Sequence, residues 1–334
     1  MNILVRYFTP ALVVLGLLLT LAPAVYATPY TYTTLDFPNA TETIPFGINN
    51  SGQVSGLFGD PTDISSAHGF IYNNGSWTTL DDPNTTPGNT FASGINDSGQ
   101  VTGFFYEYSY TNPHGFIYNG GNWTTLDDPN TAPGNTRGSG INGSGQVAGY
   151  FFDATGYHGF IYNGSSWTTL DDPDALLGQT YASGINDSGQ VAGSFTDATG
   201  GSHGFIYNYN SDSWTTIDDP DALPGQTSLI DINNSGQMSG RFSDATGLHG
   251  FIYNGSSWIT LDDPNATSGF TNAYGLNDSG QVTGFFSDAT GAYHGFVASP
   301  ASAIPEPATF AIFSLGLAGI SLVRYRKSHR EVAT

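Results

Sequence analysis

The amino-acid sequence predicts an all-β protein, a six-bladed β-propeller with about 45 residues per blade. Three observations favour this fold. A unit with three landmarks recurs six times, and one strand-like element is missing from the last unit but present before the first. The third observation is composition: Gly, Asn, Ser, Thr and aromatic residues are abundant, and only 10% of residues are charged. This composition favours strands and tight turns over helices.

The first landmark is Gly-Ile-Asn-x-Ser-Gly-Gln-Val-x-Gly, a pattern typical of a β-hairpin. Two short runs with apolar residues flank a turn, and the turn glycine tolerates the positive φ that such a turn requires. The landmark therefore predicts the first two strands of each unit. Its copies span residues 47–56, 94–103, 140–149, 184–193, 231–240 and 275–284.

The second landmark, His-Gly-Phe-Ile-Tyr, predicts the third strand of each unit. The third landmark, Trp-Thr-Thr-Leu-Asp-Asp-Pro, predicts the fourth strand and the corner that ends it. Turns such as residues 153–156 (Asp-Ala-Thr-Gly) precede the third strand, and four strands per unit are typical of a propeller blade. The second landmark begins at His68, His114, His158, His203, His249 and His294, and the third begins at Trp77, Trp123, Trp167, Trp214 and Trp258.

The two ends of the repeat array have complementary defects. The last unit stops at residues 294–297 without a fourth strand, whereas residues 32–38 form an extra copy of that strand, with Tyr32 in the position of the tryptophan. An N-terminal strand placed in the last blade would close the ring and cover two edges that otherwise promote aggregation. We therefore expect closure between the two ends, with an open solenoid as the alternative.

The charge of the chain excludes nucleic acid as a partner. The repeat region contains 26 of the 28 acidic residues but only two of the seven Lys and Arg, namely Arg137 and Arg241. Its net charge is therefore about −24, and a surface this acidic repels phosphate-bearing polymers and anionic lipid. Because the chain has no cysteine, no disulfide stabilises the fold and no thiolate takes part in catalysis or metal binding.

Residues 1–27 are predicted to be a signal peptide. Arg6 precedes an apolar stretch at residues 11–22, and residues 25–27 (Val-Tyr-Ala) supply the small side chains found before a signal-peptidase site. We expect cleavage after Ala27. The propeller domain would then occupy residues 28–303, outside the cytoplasm.

Residues 304–334 contain three elements in a fixed order. A Pro-Glu-Pro motif at 304–307 is followed by an uncharged, mostly apolar segment at 308–323 and by a basic tail at 324–334. As a helix the apolar segment would rise about 24 Å, less than the hydrocarbon core of about 30 Å, so we expect a marginal or transient membrane span with its basic end in the cytoplasm. The predicted sorting residues are Pro305, Glu306, Pro307, Arg324, Arg326 and Lys327.

This arrangement resembles the PEP-CTERM signal of exported proteins in Gram-negative bacteria. The resemblance implies that an exosortase-type enzyme recognises and processes the segment. The mature protein would then be displayed on the cell surface or released, after at least transient anchoring by the C-terminal helix. An ordinary C-terminal membrane anchor is the alternative interpretation.

The His-Gly-Phe and Gly-Ile-Asn motifs resemble the HAF family of extracellular repeats. The resemblance covers residues 31–297, although this chain has Gly where that family commonly has Ala in the second position of the motif. It implies an extracellular repeat protein. It implies no biochemical activity, because the family has none firmly assigned.

The repeated polar residues favour a scaffolding role over catalysis. A catalytic site needs a few groups in unlike environments, whereas the histidines and the Asp-Asp-Pro corners occur in nearly every unit. We expect each histidine to hydrogen-bond to a neighbouring turn or strand; a ring of histidines that binds metal in the channel is the alternative. The corners offer oxygen ligands to calcium, and we expect weak surface calcium binding at most and no cofactor.

A single functional site is expected where the repeats differ. The longest difference is the aromatic insertion at residues 105–113, which replaces the usual Asp-Ala-Thr-Gly turn. The two arginines of the repeat region also stand where other copies have uncharged residues such as Phe and Tyr. No Ser-His-Asp spacing, nucleotide-binding loop or His-Glu-x-x-His motif occurs in the sequence. The candidate ligand-binding residues are Tyr106, Glu107, Tyr108, Arg137 and Arg241.

These features predict a non-enzymatic exported protein of the cell surface or extracellular matrix that interacts with exopolysaccharide or the cell envelope. A lectin-like propeller is one alternative, and binding with a stoichiometry near the number of blades would identify it. A polysaccharide hydrolase or lyase is another, and it requires paired carboxylates at the mouth of the channel.

Overall fold

The chain folds into six four-stranded antiparallel sheets around a central channel. The computed structural model describes residues 30–60, 63–85, 88–108, 111–267 and 269–301. All regular secondary structure in these ranges is β-strand, so the predicted all-β, six-bladed propeller is confirmed. The predicted signal peptide and the predicted C-terminal helix lie outside the described residues.

Each blade runs from an inner strand at the channel to an outer strand, and the blades are numbered in chain order. Blade 1 contains β2 (Glu42–Ile48), β3 (Val54–Asp60), β4 (Asp63–Asn73) and β5 (Ser76–Leu80). Blade 2 contains β6 (Thr90–Ile95), β7 (Val101–Tyr108), β8 (Thr111–Asn119) and β9 (Asn122–Leu126). Blade 3 contains β10 (Thr136–Ile141), β11 (Val147–Phe152), β12 (Tyr157–Tyr162) and β13 (Trp167–Leu170).

The second half of the ring repeats this order and uses the N-terminal strand in its last blade. Blade 4 contains β14 (Thr180–Ile185), β15 (Gln190–Thr196), β16 (Ser202–Asn208) and β17 (Ser213–Ile217). Blade 5 contains β18 (Thr227–Ile232), β19 (Met238–Ser243), β20 (Leu248–Tyr253) and β21 (Trp258–Leu261). Blade 6 contains β22 (Thr271–Leu276), β23 (Val282–Ser287), β24 (Tyr293–Pro300) and β1 (Tyr30–Leu35).

The ring closes through β1, as the complementary defects of the sequence predict. β1 pairs antiparallel with β24, and Thr33 lies opposite Val297 in the register. The Tyr32 ring packs edge-on against Phe296 with 5.5 Å between centroids, a contact that tryptophan makes in the other blades. The edge of the last blade is therefore covered, and the open solenoid is wrong.

The core of every blade is built on the phenylalanine of the His-Gly-Phe landmark. All six of these side chains have no solvent exposure, and burial of a side chain of this size stabilises the fold by about 2–3 kcal/mol each. In blades 1 to 5 the tryptophan of the outer strand meets this ring at 4.8–5.0 Å. The six residues are Phe70, Phe116, Phe160, Phe205, Phe251 and Phe296.

The glycine that ends the first landmark is required by this packing. A Cβ atom at Gly149 would lie 2.7 Å from Cζ of Phe160 and would also overlap the carbonyl oxygen of Arg137 on the adjacent strand. The corresponding glycine of every blade has the same surroundings. Glycine recurs at this position because only a residue without Cβ leaves space for the phenylalanine ring to pack on the strand.

A closed belt of hydrogen bonds joins all six blades at one face of the ring, here called the lower face. The asparagine of each Gly-Ile-Asn landmark donates from Nδ2 to the backbone oxygen of the equivalent asparagine in the next blade, at 2.9–3.2 Å. The last bond runs from Asn277 to Asn49 and completes the circle. This asparagine belt consists of Asn49, Asn96, Asn142, Asn186, Asn233 and Asn277.

The opposite face, here called the upper face, carries the turns between the second and third strands and the Asp-Asp-Pro corners between blades. Since successive strands are antiparallel, the ends of the inner strands that lie away from the asparagine belt also reach this face. The upper end of the channel is thus surrounded by the longer and more variable connections.

Candidate functional site at the upper mouth of the channel

The central channel encloses a cavity of about 200 Å³. Its lining comes from inner-strand residues that alternate toward the axis and from aromatic residues of the second strands. Its aromatic part consists of Phe46, Phe91, Phe104, Tyr150 and Tyr274, and Ser93, Ser139 and Ser183 add hydroxyl groups. A concave, largely apolar cavity with a few polar groups is the usual form of a ligand site.

One register position at the upper end of the channel differs in every blade, in contrast to the repeated landmarks around it. It consists of a residue on the inner strand and its direct cross-strand partner on the second strand. We call these twelve residues the variable ring. They are the pairs Ile44 and Leu57, Phe91 and Phe104, Arg137 and Tyr150, Tyr181 and Ser194, Ser228 and Arg241, and Asn272 and Phe285.

The candidate residue Arg137 lies in this ring, held by aromatic side chains. Its Nη2 atom donates to the hydroxyl of Tyr106 at 2.7 Å, and Nη1 donates to the hydroxyl of Tyr150 at 3.1 Å. The guanidinium carbon lies 4.7 Å from the ring centre of Phe104, a cation–π contact. Burial lowers the pKa of Arg137, but the phenols of Tyr150 and Tyr106 raise it by more. The pKa therefore lies above its usual value, and the side chain stays charged.

Arg241 lies in the same ring two blades away. Its Nη1 atom donates to Oδ1 of Asn272 at 3.1 Å. It also lines a separate pocket of about 320 Å³ together with Ser202, Gln226 and Ser228. The structure therefore brings two of the candidate residues into one ring. The sequence alone did not show that they belong to equivalent cross-strand pairs.

The phenol of Tyr274 belongs to the channel lining and is close enough to Arg241 to respond to its charge. Burial raises its pKa, the positive charge of Arg241 lowers it, and the nearby Tyr150 raises it. Tyr150 and Tyr274, which both line the cavity, thus place phenol groups near Arg137 and Arg241 respectively.

The aromatic insertion of blade 2 extends two strands and does not form a separate loop. β7 and β8 continue upward with Tyr106 opposite Pro113 and Tyr108 opposite Thr111. Tyr106 is buried against the ring, whereas Glu107 is half-exposed and its carboxylate lies 3.7 Å from Nε2 of His114. The structure therefore joins Tyr106 to Arg137 but turns Glu107 away from it; the side chain of Tyr108 lies outside the described residues.

Asp231 is a channel residue that the candidate set did not include. It stands where the other five copies of the first landmark have glycine, and that substitution was the available signal. Its carboxylate accepts the backbone N–H groups of Ile232 and Leu276, both at 2.9 Å, and so links blades 5 and 6. Burial raises its pKa to about 6.

The repeated histidines pair with the Asp-Asp-Pro corners, which confirms the expected hydrogen bonding. In every blade Nδ1 of the histidine lies 2.6–3.0 Å from the first corner aspartate. This position keeps the histidines out of the channel lining, so a metal-binding ring of histidines in the channel is wrong. The pairs are His68 and Asp81, His114 and Asp127, His158 and Asp171, His203 and Asp218, His249 and Asp262, and His294 and Asp36.

The second corner aspartate is buried in blades 1 to 5. In each case one carboxylate oxygen accepts the backbone N–H two residues further on, and burial raises the pKa of the group. The corner pair thus serves as a turn cap and a histidine partner. Within the ranges that the structure describes, no group of three or more His, Cys, Asp or Glu side chains is arranged to hold a metal ion.

These carboxylate and histidine pairs predict greater stability at pH 5 than at pH 8. Burial lowers the pKa of His203, His249 and His294, but their aspartate partners raise it more, and each ends above 6.5. A raised folded-state pKa contributes stability that is present below 6.5 and lost as the pH rises through the folded value. Burial raises the pKa of Asp231 to about 6, so its ionisation between pH 4 and 6 also lowers the stability of the folded protein as the pH rises.

At low pH, stability is limited by the protonation of Asp197, Asp244 and Asp288. Hydrogen bonds from neighbouring threonines lower the pKa of each to about 2, so their contribution is lost only as the pH falls below 4. Because the raised pKa values of Asp231 and the second corner aspartates already reduce stability above about pH 4, calorimetric melting across pH 3–8 should show a maximum between about pH 4 and 5 and a fall of a few degrees by pH 8, moderated by solvent screening. A melting temperature that rises from pH 5 to pH 8 would contradict this assignment.

Residues 303–327 match the family model of the PEP-CTERM protein-sorting motif. The match confirms the predicted sorting signal, although these residues lie outside the described ranges. The motif implies an exported protein that is sorted through exosortase-type processing. No helix among the described residues is both long enough and apolar enough to cross a membrane, and no curated protein sequence matches the chain.

Several solved propellers share the fold at low sequence identity. A mutant of the Aleuria aurantia lectin in complex with Fucα1-6GlcNAc has 15% identity and a TM-score of 0.50, covering 80% of this chain and 97% of the lectin. TolB from Acinetobacter baumannii has 10% identity and a TM-score of 0.51, with 74% and 63% coverage. Trypanosoma rangeli sialidase in complex with the inhibitor DANA has 10% identity and a TM-score of 0.52, with 81% and 60% coverage. The chain thus spans less than two thirds of the last two proteins, and identities this low show the fold alone.

Proposed function

We propose that this chain is a non-enzymatic protein of the cell surface or extracellular matrix, and that its propeller binds a saccharide of the surrounding exopolysaccharide at the variable ring. An exosortase-type enzyme would process its C-terminal segment, after export by the signal peptide and at least transient anchoring by the apolar helix. The resemblance of the repeats to the HAF family agrees with an extracellular location.

The composition of the variable ring is the observation that carries this proposal. Five of its twelve members are aromatic, and their faces suit stacking on sugar rings. Three are Ser or Asn, which suit hydrogen bonds to sugar hydroxyls. The ring is thus aromatic and polar at once, it contributes Phe91, Phe104 and Tyr150 to the concave cavity, and it differs from blade to blade.

The same ring argues against glycoside hydrolysis. A hydrolase needs two carboxyl groups about 5–9.5 Å apart on either side of the scissile bond, and none of the twelve residues is Asp or Glu. Asp231 lies in the channel lining, but both of its oxygens accept backbone N–H groups. A ligand at the ring would therefore be bound without being cleaved.

We expect Tyr150→Ala to weaken saccharide binding by at least about tenfold, since it removes an aromatic face that lines the cavity. Titration calorimetry of the exported chain against a panel of oligosaccharides measures this effect. Tyr209→Ala is the matched control, because Tyr209 is an exposed aromatic residue outside the ring.

Two results would contradict the proposal. If no oligosaccharide binds, the ring is not a saccharide site. If saccharides are bound and new reducing ends or unsaturated products accumulate during incubation, the protein is an enzyme and the non-enzymatic part of the proposal is wrong.

A further inference from the structure

We infer that the saccharide bound at the variable ring carries carboxylate groups, and that Arg137 and Arg241 recognise those groups. This inference rests on the proposed function and adds the chemical class of the ligand to it. The ligand class is a polymer or oligomer of uronic acids.

The placement of positive charge is the first argument. The repeat region has 26 acidic residues and two arginines, and both arginines occupy the variable ring. A polyanion is repelled by the rest of this surface, because like charges raise its free energy there. At the mouth of the channel, the carboxylates of such a polyanion would instead meet Arg137 and Arg241.

The lack of an acidic partner is the second argument. Among the described residues Arg137 contacts the hydroxyls of Tyr106 and Tyr150 and the face of Phe104, and Arg241 contacts the amide of Asn272. Neither arginine forms a salt bridge with a described carboxylate, although aspartates are abundant. A half-buried charge without a counter-ion is unfavourable, and a carboxylate from a ligand would supply the missing partner.

The shape of the guanidinium group favours carboxylate over other anions. Its planar fork of N–H donors matches the two oxygens of a carboxylate in a bidentate pair. Aromatic contacts fix the plane of the Arg137 guanidinium before any ligand arrives, which reduces the entropy lost on binding.

The surroundings of Arg241 suit the remaining groups of a sugar. Its pocket of about 320 Å³ is lined by serine hydroxyls and the amide of Gln226. The hydroxyls of Ser202 and Ser228 lie 3.1 Å apart and can each donate or accept. A uronic acid placed there would present its carboxylate to the arginine and its hydroxyls to these side chains.

The phenols of Tyr150 and Tyr274 both line the channel cavity, and Tyr150 accepts a hydrogen bond from Arg137. They can donate hydrogen bonds to an acidic chain that extends from one arginine to the other. Such a chain has one carboxylate per sugar, and the two arginines would bind different sugars of the same chain. A short oligouronate is therefore expected to bind more tightly than a single uronic acid.

The test compares matched ligands on the full exported chain. The probes are oligomers of galacturonate and of mannuronate, the methyl esters of both, a sulfated galactan oligomer and a neutral galactan oligomer. We expect at least one oligouronate to bind, and its methyl ester to bind at least about tenfold more weakly because the charge-assisted hydrogen bonds are lost. This comparison needs no variant and so does not depend on the folding of one.

The variants Arg137→Gln and Arg241→Gln separate recognition from a packing role. Each should weaken oligouronate binding by about tenfold and weaken methyl-ester binding by less, because the ester has no carboxylate for the arginine to pair with. Arg137→Lys should fall between Gln and wild type, because it keeps the charge but not the planar fork. If the arginines only supported the fold, both ligands would lose affinity together and the melting temperature would fall.

Four outcomes decide between the proposals. Equal binding of an oligouronate and its ester would overturn the inference and leave saccharide binding standing. Undiminished oligouronate binding in both Gln variants would also overturn it, as would tighter binding of the sulfated oligomer than of either oligouronate. Absence of binding to every saccharide would remove the proposed function and this inference together.

Discussion

A disulfide will form within a single molecule when Thr33 and Val297 are both replaced by cysteine. The two residues lie directly opposite each other on β1 and β24, and opposed residues of an antiparallel pair have Cβ atoms about 4.5–5.5 Å apart, within reach of a disulfide after small adjustments. The chain has no other cysteine. A gel-mobility or mass shift under oxidising conditions therefore measures this one bond.

The bond should raise the melting temperature considerably. It closes a loop of about 260 residues, and restriction of so long a loop in the unfolded chain corresponds to roughly 5–6 kcal/mol. Engineered disulfides deliver part of this value, so we expect a rise of about 10 °C. The matched control is Thr33→Cys with Ser299→Cys, a diagonal pair about 7–8 Å apart that should not join. Failure of the opposed pair, or equal joining of the diagonal pair, would show that the register between the two ends is wrong.

Deletion of β1, residues Tyr30–Leu35, tests closure from the other direction. The deletion leaves every complete repeat in place but exposes the edge of β24 and the ring of Phe296. An unpaired apolar edge recruits other chains, so we expect aggregation or loss of cooperative melting. A monomeric deletion variant with a small decrease in melting temperature would contradict the closed ring.

Asn142→Ala should lower the free energy of unfolding by about 3 kcal/mol. Asn142 is 4% exposed, and its Nδ2 donates to Gln146 at 2.8 Å and to the backbone oxygen of Asn186 in the next blade at 3.2 Å. Its Oδ1 accepts the backbone N–H groups of Ser144 and Gln146. Truncation leaves several of these buried groups without a partner, each at about 1 kcal/mol or more. Denaturant titration measures the loss.

Two further variants control for size and for the general effect of replacing asparagine. Asn142→Asp keeps the shape but brings a negative charge to two acceptor oxygens, so we expect it to destabilise at least as much as alanine. Asn163→Ala removes an exposed turn asparagine that bonds only to its own hairpin, and should change stability by less than about 1 kcal/mol. Equal small effects at both positions would mean that the belt does not hold the blades together.

Local signals in the sequence predicted most of the fold. Hairpin turns need glycine at positive φ, and the six turn glycines of the first landmark have φ of 74–79°. The three landmarks and the turns between them, repeated every 45 or so residues, predicted four strands per blade. Closure was also predictable, because the extra N-terminal strand can cover the edge that the missing strand of the last unit leaves unpaired.

The candidate site was predicted only in part. Departure from the repeat identified Arg137, Arg241 and Tyr106, because a residue unlike its five counterparts serves something other than the common scaffold. The same criterion should have identified Asp231, where glycine is otherwise invariant within the chain. It also selected Glu107, whose side chain the structure places beside His114.

The sequence by itself determined the strands, the number of blades, the closing strand and the C-terminal sorting motif, because each follows from local spacing or from a contiguous pattern. Only the tertiary structure decided which residues meet. Arg137 and Arg241 are more than 100 residues apart along the chain and lie on different strands of their blades. They occupy one ring because cross-strand register pairs these two positions of the repeat, and the circular arrangement of blades brings the pair from every blade to the channel. Register depends on hydrogen bonding between strands and not on local composition, so the variable ring could be recognised only in the folded protein.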